Sequence, residues 1–282
     1  MSSDTGKSVE ARLAKPDLRT SRRNFIAGIS TLACAMAATA VAGRPAAAGR
    51  DDPLPDPSNG CNGVGNPHCQ HCFLSGTHIA TPKGEVAIEQ LRIGDLVTTI
   101  SGAPKPIKWI GRNRYTRAAS DAWKPGLTAV KISRFALDGQ APHADLYLSP
   151  AHAVYLRGLL VPVKVLVNGI SITENHHADA LTLEYYHIDL EDHDVVLAEG
   201  APAETYQGND YWAFDNADEY VALYGEPVGP KQPFAPVVSY YGGRQELKSR
   251  LRSVIAPLYD VREPLDIIRD EIASRAELAL AA

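Results

Sequence analysis

The chain has 282 residues, 45% of them hydrophobic and 22% charged, with 28 Lys and Arg against 33 Asp and Glu. A net charge of −5 with no basic cluster excludes a surface built for polyanions, so nucleic acid is not an expected partner. The length suits one domain of ordinary to large size with flanking tails.

The first 48 residues stand apart from the rest. Ser21-Arg22-Arg23-Asn24-Phe25-Ile26 sets a paired arginine ahead of an Ala-rich, weakly hydrophobic run from Phe25 to Val41, and Ala46-Ala47-Ala48 follows. This resembles a twin-arginine export signal over 1–48, cleaved near Ala48. A membrane anchor is the competing reading, but the run is shorter than the roughly 20 residues a spanning helix needs, and it contains Ser30 and Thr31. The expectation is therefore an exported protein, periplasmic or extracellular, with the twin-arginine export machinery as a partner. Losing this segment removes seven Lys or Arg and three Asp or Glu, which moves the charge from −5 to −9. Cys34 leaves with it, and Cys61, Cys69 and Cys72 remain, an odd number for an oxidising compartment.

Residues 49–71 form a Pro-, Gly-, Asn- and Asp-rich linker, or a short N-terminal passenger. From Phe73 the texture changes. His78 to Thr81, the turn Pro82-Lys83-Gly84, and Glu85 to Ile88 read as strand, turn and strand. Further strands are expected at Leu96–Ile100, Ile107–Ile110, Ala129–Ile132, Leu146–Leu148, Ala153–Leu156, Leu160–Val163, Leu181–Leu190 and Val195–Ala198. Short strands with turn residues between them predict an all-β body from about Cys72 to Tyr206. The apolar run Leu159–Val167 belongs in its core. Beyond Trp212 the pattern loosens, and from about 244 helical spacing takes over. Leu247, Leu251, Val254 and Leu258 mark one helix; Leu265, Ile268, Ile272 and Leu278 mark another, starting at Glu263-Pro264. With Arg250, Arg252, Arg262 and Arg269 interleaved, these helices read as a packed cap rather than a lipid-binding extension.

Three stretches carry reactive side chains near strand ends. They are Cys72, the turn Ser149-Pro150-Ala151-His152, and the segment Tyr185–His193 with His187 and His193. Around them runs an ordered series: Cys72-Phe73, Gly76-Thr77, Ile79, Thr81 and Gly84; Leu91, Gly94-Asp95 and Val97; Trp109-Ile110-Gly111; Ser149 to His152; Leu166 to Gly169; His187; His193-Asp194; Ala198-Glu199-Gly200. In that order the chain resembles the Hint domains shared by hedgehog C-terminal regions and inteins, over roughly Cys72 to Phe214. The resemblance implies an all-β horseshoe or disc with pseudo-twofold symmetry over 72–206, and an extension over 207–282 that is helical from about 244.

The same resemblance implies roles. Cys72 falls at the family's nucleophile, making His71–Cys72 the scissile bond. An N-to-S acyl shift would turn that peptide into a thioester, which water or another acceptor nucleophile resolves. The substrate is then the chain's own N-terminal segment, cleaved once, with no cofactor. His152 matches the family's catalytic histidine and would hand a proton to the departing amide nitrogen. Ser149 replaces the usual Thr, His187 stands where many members have Asp or Cys, and His193-Asp194 resembles a late His-Asn pair. No Asn precedes a second nucleophile after Gly200, so cleavage without splicing is expected. Gly94-Asp95, Trp109 and Asn168-Gly169 are expected to be turn and packing residues.

Other readings stay open beside this one. Cys69-Gln70-His71-Cys72 is a C-x-x-C, so a Cys69–Cys72 disulfide could cap the nucleophile; a Cys61–Cys69 pair would leave it free. Zinc held by Cys61, His68, Cys69, His71 and Cys72 fits poorly, because the ligands crowd into 68–72. A silent Hint-type binding or display domain and a Cys-based redox module complete the alternatives.

Overall fold

Two antiparallel six-stranded sheets carry the site, and the first strand emerges directly from Cys72. The computed structural model describes residues 71–281 except 125, 209, 227–228, 239–243 and 257–258. Residues 1–70, on which the expected export signal, linker, Cys61 and Cys69 fall, thus lie outside the described residues. In chain order the strands are β1 (Phe73–Leu74), β2 (His78–Thr81), β3 (Gly84–Ala87), β4 (Leu96–Val97), β5 (Lys105–Pro106), β6 (Trp109–Thr116) and β7 (Ala129–Ile132). There follow β8 (Leu146–Leu148), β9 (Ala153–Leu156), β10 (Leu159–Pro162), β11 (Ile172–Asn175), β12 (Thr182–Asp189), β13 (Val195–Ala198) and β14 (Ala201–Glu204). Among the described residues three α-helices follow: α1 (Ala217–Tyr224), α2 (Arg244–Ile255) and α3 (Pro264–Ala281). None of the described helices is long and apolar enough to cross a membrane.

The first sheet runs β11-β7-β8-β1-β12-β6 and the second β10-β9-β14-β13-β2-β3; β4 and β5 pair separately. β1 is short but central, with Phe73 opposite Leu148 on one side and Tyr186 on the other. That register, continued by one residue, puts Cys72 level with His187. β12 pairs along its whole length with β6, from Thr182 opposite Thr116 to Asp189 opposite Trp109.

The main core takes Phe73, Ile132, Leu146 and Leu148 from the first sheet and Ile79, Val154, Val161 and Val196 from the second. A second cluster surrounds Cys72 with Trp109, Leu183, Tyr185, Tyr206, Tyr211, Phe214 and Tyr220. Gly111 belongs to this cluster by having no side chain: a Cβ there would sit 2.6 Å from the Phe214 ring.

The all-β expectation holds, with local differences. The strand expected from Ile107 starts at Trp109 and runs to Thr116, and only Leu96–Val97 of the Leu96–Ile100 run is a strand. β5, β11, β14 and α1 are not expected from the sequence. β14 contains Pro202, which lacks a ladder donor and argues against an interior strand. On α3, Ile268 and Ile272 join the main core as expected, but Leu278 is exposed and Ala276 takes the buried position instead. On α2 the apolar stripe Leu247, Leu251 and Val254 faces outward. The helix is held to α3 through polar groups, with Ser249 and Arg252 both bonded to the buried Asp266 carboxylate.

Candidate functional site

Cys72 is fully buried, and its thiol is free. Its backbone is gripped by the β8–β9 turn: the Cys72 N–H donates to Ser149 Oγ at 2.7 Å, and the Ser149 N–H donates to the Cys72 carbonyl at 2.9 Å. The turn has Pro150 at its second position and closes with the His152 N–H on the Ser149 carbonyl at 3.0 Å, a geometry that proline at that position pre-sets. Further bonds, Lys164 N–H to the Pro150 carbonyl and Val163 N–H to the His152 carbonyl, fix it from the far side. Ser149 therefore lies on the nitrogen of the His71–Cys72 bond, and His152 follows one turn later.

His152 is buried, with its ring 4.4 Å from the Phe73 ring and 5.3 Å from that of His187. Its Nε2 lies 3.1 Å from the Glu204 carbonyl, which only accepts, so Nε2 carries the proton. Nδ1 is then a bare acceptor, buried and without a hydrogen-bond partner. Burial pushes the ring down to about 4, with Glu204 opposing and His71 adding to the fall. The Cys72 backbone is also among the groups acting on this ring.

His187, in β12, is buried between Phe73, Tyr206 and Phe214, and its Nδ1 is likewise unpartnered. Burial, helped by His152, His71 and His193, holds it well below the ordinary histidine value. His193 accepts the Phe234 N–H on Nδ1 at 2.8 Å and turns Nε2 towards Glu204 at 3.9 Å; burial lowers it too. Asp194, its neighbour, is committed elsewhere, with Lys105 and Ser101 on its carboxylate at 2.7 and 2.6 Å.

Glu204 was not anticipated from the sequence, and the site is arranged around it. Its carboxylate is buried at the end of β14, accepts the Ala153 N–H at 2.8 Å, and lies 2.7 Å from His71 Nδ1. Burial alone would raise it, but His71 and His152 more than offset this and its pKa is lowered. His71 is 45% exposed, and although burial opposes it, the Glu204 carboxylate raises its pKa. The residue on the acyl side of the bond is thus held by a carboxylate, while His152 is held by the carbonyl of the same residue. The sequence signal was available: Glu199-Gly200 is a two-residue hairpin turn, and folding the chain back about it puts Glu204 opposite Val195.

The Cys72 thiol is pushed well above the ordinary cysteine value by burial, with Asp210 adding to the effect. It is a thiol rather than a thiolate in this environment, so an attack by sulfur needs a base beside it.

The described site is a buried cysteine amide at the mouth of a central strand, enclosed by histidines that burial keeps neutral. Residues 71–210 match the family model of the Hint domain, and this segment of the chain is a Hint domain in an all-β fold followed by helices. Among solved structures the chain is similar to the gp41-1 intein, at 14% identity, covering 48% of this chain and 98% of that one, with a TM-score of 0.34. It is also similar to a bacterial intein-like domain from Clostridium thermocellum, at 15% identity, covering 49% and 99%, with a TM-score of 0.29. A zinc-bound Msm DnaB1 intein splicing domain matches at 12% identity, covering 46% and 98%, with a TM-score of 0.32. No curated protein sequence matches the chain.

Proposed function

We propose that this Hint domain cuts its own chain before Cys72, once, through a thioester and without splicing. The observation that carries the reading is the grip of Ser149 on the Cys72 amide at 2.7 Å, on the same turn that presents a neutral, proton-accepting His152. The thiol proton passes to His152 Nδ1 as Cys72 Sγ attacks the His71 carbonyl carbon. The tetrahedral intermediate collapses when the C–N bond breaks and that proton moves on to the Cys72 nitrogen. The shift conserves atoms and charge, with the acyl group moving from N to S and the proton from S to N. Ser149 Oγ orients the amide nitrogen, and Glu204 holds the His71 side chain next to the bond. His187, level with Cys72, is the second base of the site, and His193 supports Glu204. Water attacking the thioester then releases a peptide ending in His71 and restores the thiol; another nucleophile would be acylated instead. The same reading extends to export by the twin-arginine route and to the segment ahead of Cys72 as the substrate.

Mass spectrometry of the expressed full chain tests it. A fragment beginning at Cys72 is expected, and its complete loss in Cys72→Ala. Persistent cutting at that bond in Cys72→Ala would falsify the proposal. A silent domain is the second reading, and the full burial of a thiol held above its ordinary pKa favours it. Intact mass throughout, with or without reductant and added thiol nucleophile, would select it.

A further inference from the structure

Away from Cys72, a second group of imidazoles and carboxylates meets at the Glu199–Gly200 turn, and we propose that it binds one first-row divalent cation, zinc by the character of its donors. Glu85 of β3, His143 of the loop between β7 and β8, and Glu199 each offer one ligand atom, and these atoms lie within 4.8 Å of one another. His143 Nε2 is 2.7 Å from Glu85 Oε1, and its Nδ1 is 3.8 Å from Glu199 Oε2. The other Glu199 oxygen accepts the His78 backbone N–H at 2.7 Å and lies 3.0 Å from His78 Nδ1. His78 therefore orients the carboxylate from behind, as the outer partners of metal ligands do, and leaves Oε2 turned to His143.

The backbone is shaped to bring these groups together. Glu199 has φ 49° and Gly200 φ 77°, the left-handed pair of a two-residue hairpin turn whose first position ordinarily takes Asn, Asp or Gly. A glutamate there carries a longer carboxylate, and that carboxylate is almost wholly buried, with 7% of the side chain exposed. Gly200 answers a close approach, because a Cβ at that position would come within 3.0 Å of His143 Cδ2. The His143 N–H bonds to the Glu199 carbonyl at 2.8 Å, and the Glu199 N–H to the His78 carbonyl at 2.8 Å, so three separate segments converge on one residue.

One imidazole nitrogen and two carboxylate oxygens form a donor set for zinc, with the fourth place open to water; magnesium and calcium favour all-oxygen sites, and copper(I) favours thiolates. An ion here would clasp the β13–β14 turn to β3 and to the loop carrying His143. The inference does not rest on the self-cleavage reading, since none of these residues touches the His71–Cys72 bond.

The test is calorimetric titration of the chelator-stripped full chain with zinc, with thermal unfolding in parallel. One zinc per chain is expected, and a rise in Tm of about 5–10 °C when zinc stands a hundredfold above its Kd. Glu85→Gln and His143→Ala alter half-exposed side chains, so these variants should fold normally and bind at least roughly tenfold more weakly. Replacing Cys61 and Cys69 by Ser should leave binding unchanged, and the cobalt-substituted protein should show no thiolate-to-metal charge-transfer band. Absence of stoichiometric binding, indifference to Glu85→Gln and His143→Ala, or a thiolate band would each overturn the proposal.

Discussion

Two glutamates on one hairpin do opposite work. Glu199 sits at the turn between β13 and β14, where His78 and His143 meet it from a partly exposed surface; Glu204 sits at the other end of β14, among His71, His152 and His193. Chemically the two clusters are alike, each pairing a buried carboxylate with imidazoles. They differ in the access to water of every histidine but His71, which is itself 45% exposed. His78 and His143 are half-exposed and can remain hydrated, whereas His152, His187 and His193 are buried and forced towards the neutral form. A hydrated imidazole beside carboxylates suits an ion, and a dry neutral one with a bare nitrogen suits proton transfer.

The deepest break at the inner end is His152→Ala, expected to slow cleavage by roughly 10²–10⁴-fold while the released peptide, which ends at His71, keeps the same mass. Single-turnover kinetics followed by mass spectrometry measures it, and a rate within threefold of the parent chain would remove His152 from the chemistry.

Acid should weaken the inner end next. The unfolded His152 takes up a proton near pH 6.5, while the folded one resists until about pH 4. Stability present above the unfolded value is therefore lost as pH falls from about 6.5 towards 4, on the order of 3 kcal/mol for this ring. His187 and His193 act with the same sign. His71, raised by Glu204, acts with the opposite sign: its contribution is full at low pH and lost as pH rises through its folded value. Urea unfolding between pH 7.5 and 4.5 reports the balance, and a flat profile would mean that the inner histidines are wet.

Glu204→Gln should cost about 1.5–3 kcal/mol, because the His71 and Ala153 bonds are made to a charged acceptor. Gly111→Ala should cost about 1–3 kcal/mol by driving a methyl into Phe214, which packs against the same cluster. The outer end is expected to be more forgiving, with Glu85→Gln in metal-free protein staying within about 0.5 kcal/mol, as exposed substitutions do. Denaturant midpoints rank all three, and a Glu85→Gln loss equal to that of Glu204→Gln would erase the contrast between the two ends.

The parts of this arrangement that the sequence reveals are those with local causes. The β2–β3 hairpin is written in Pro82-Lys83-Gly84, and β7, β8 and β9 are short, mostly apolar runs bounded by turn residues. Cys72, Ser149, His152 and His187 do converge, although 77 residues separate the first two. β14 was missed because Pro202 masks it, and Glu204 was missed with it, since a glutamate before Thr205 looks like any solvated one until the hairpin is closed. The outward stripe of α2 has a different cause. Leu247, Leu251 and Val254 have helical spacing, but the contact that places the helix is the buried Asp266 with Ser249 and Arg252, which no apolar period reports.

The ladder bonds of the first strand begin at Phe73, beyond the bond ahead of Cys72. Severing the backbone there would unpick no strand, and both sheets would keep every rung. The molecule would thus be a reagent consumed in use yet left standing, its spent form still folded and carrying a fresh amino terminus sealed in the interior.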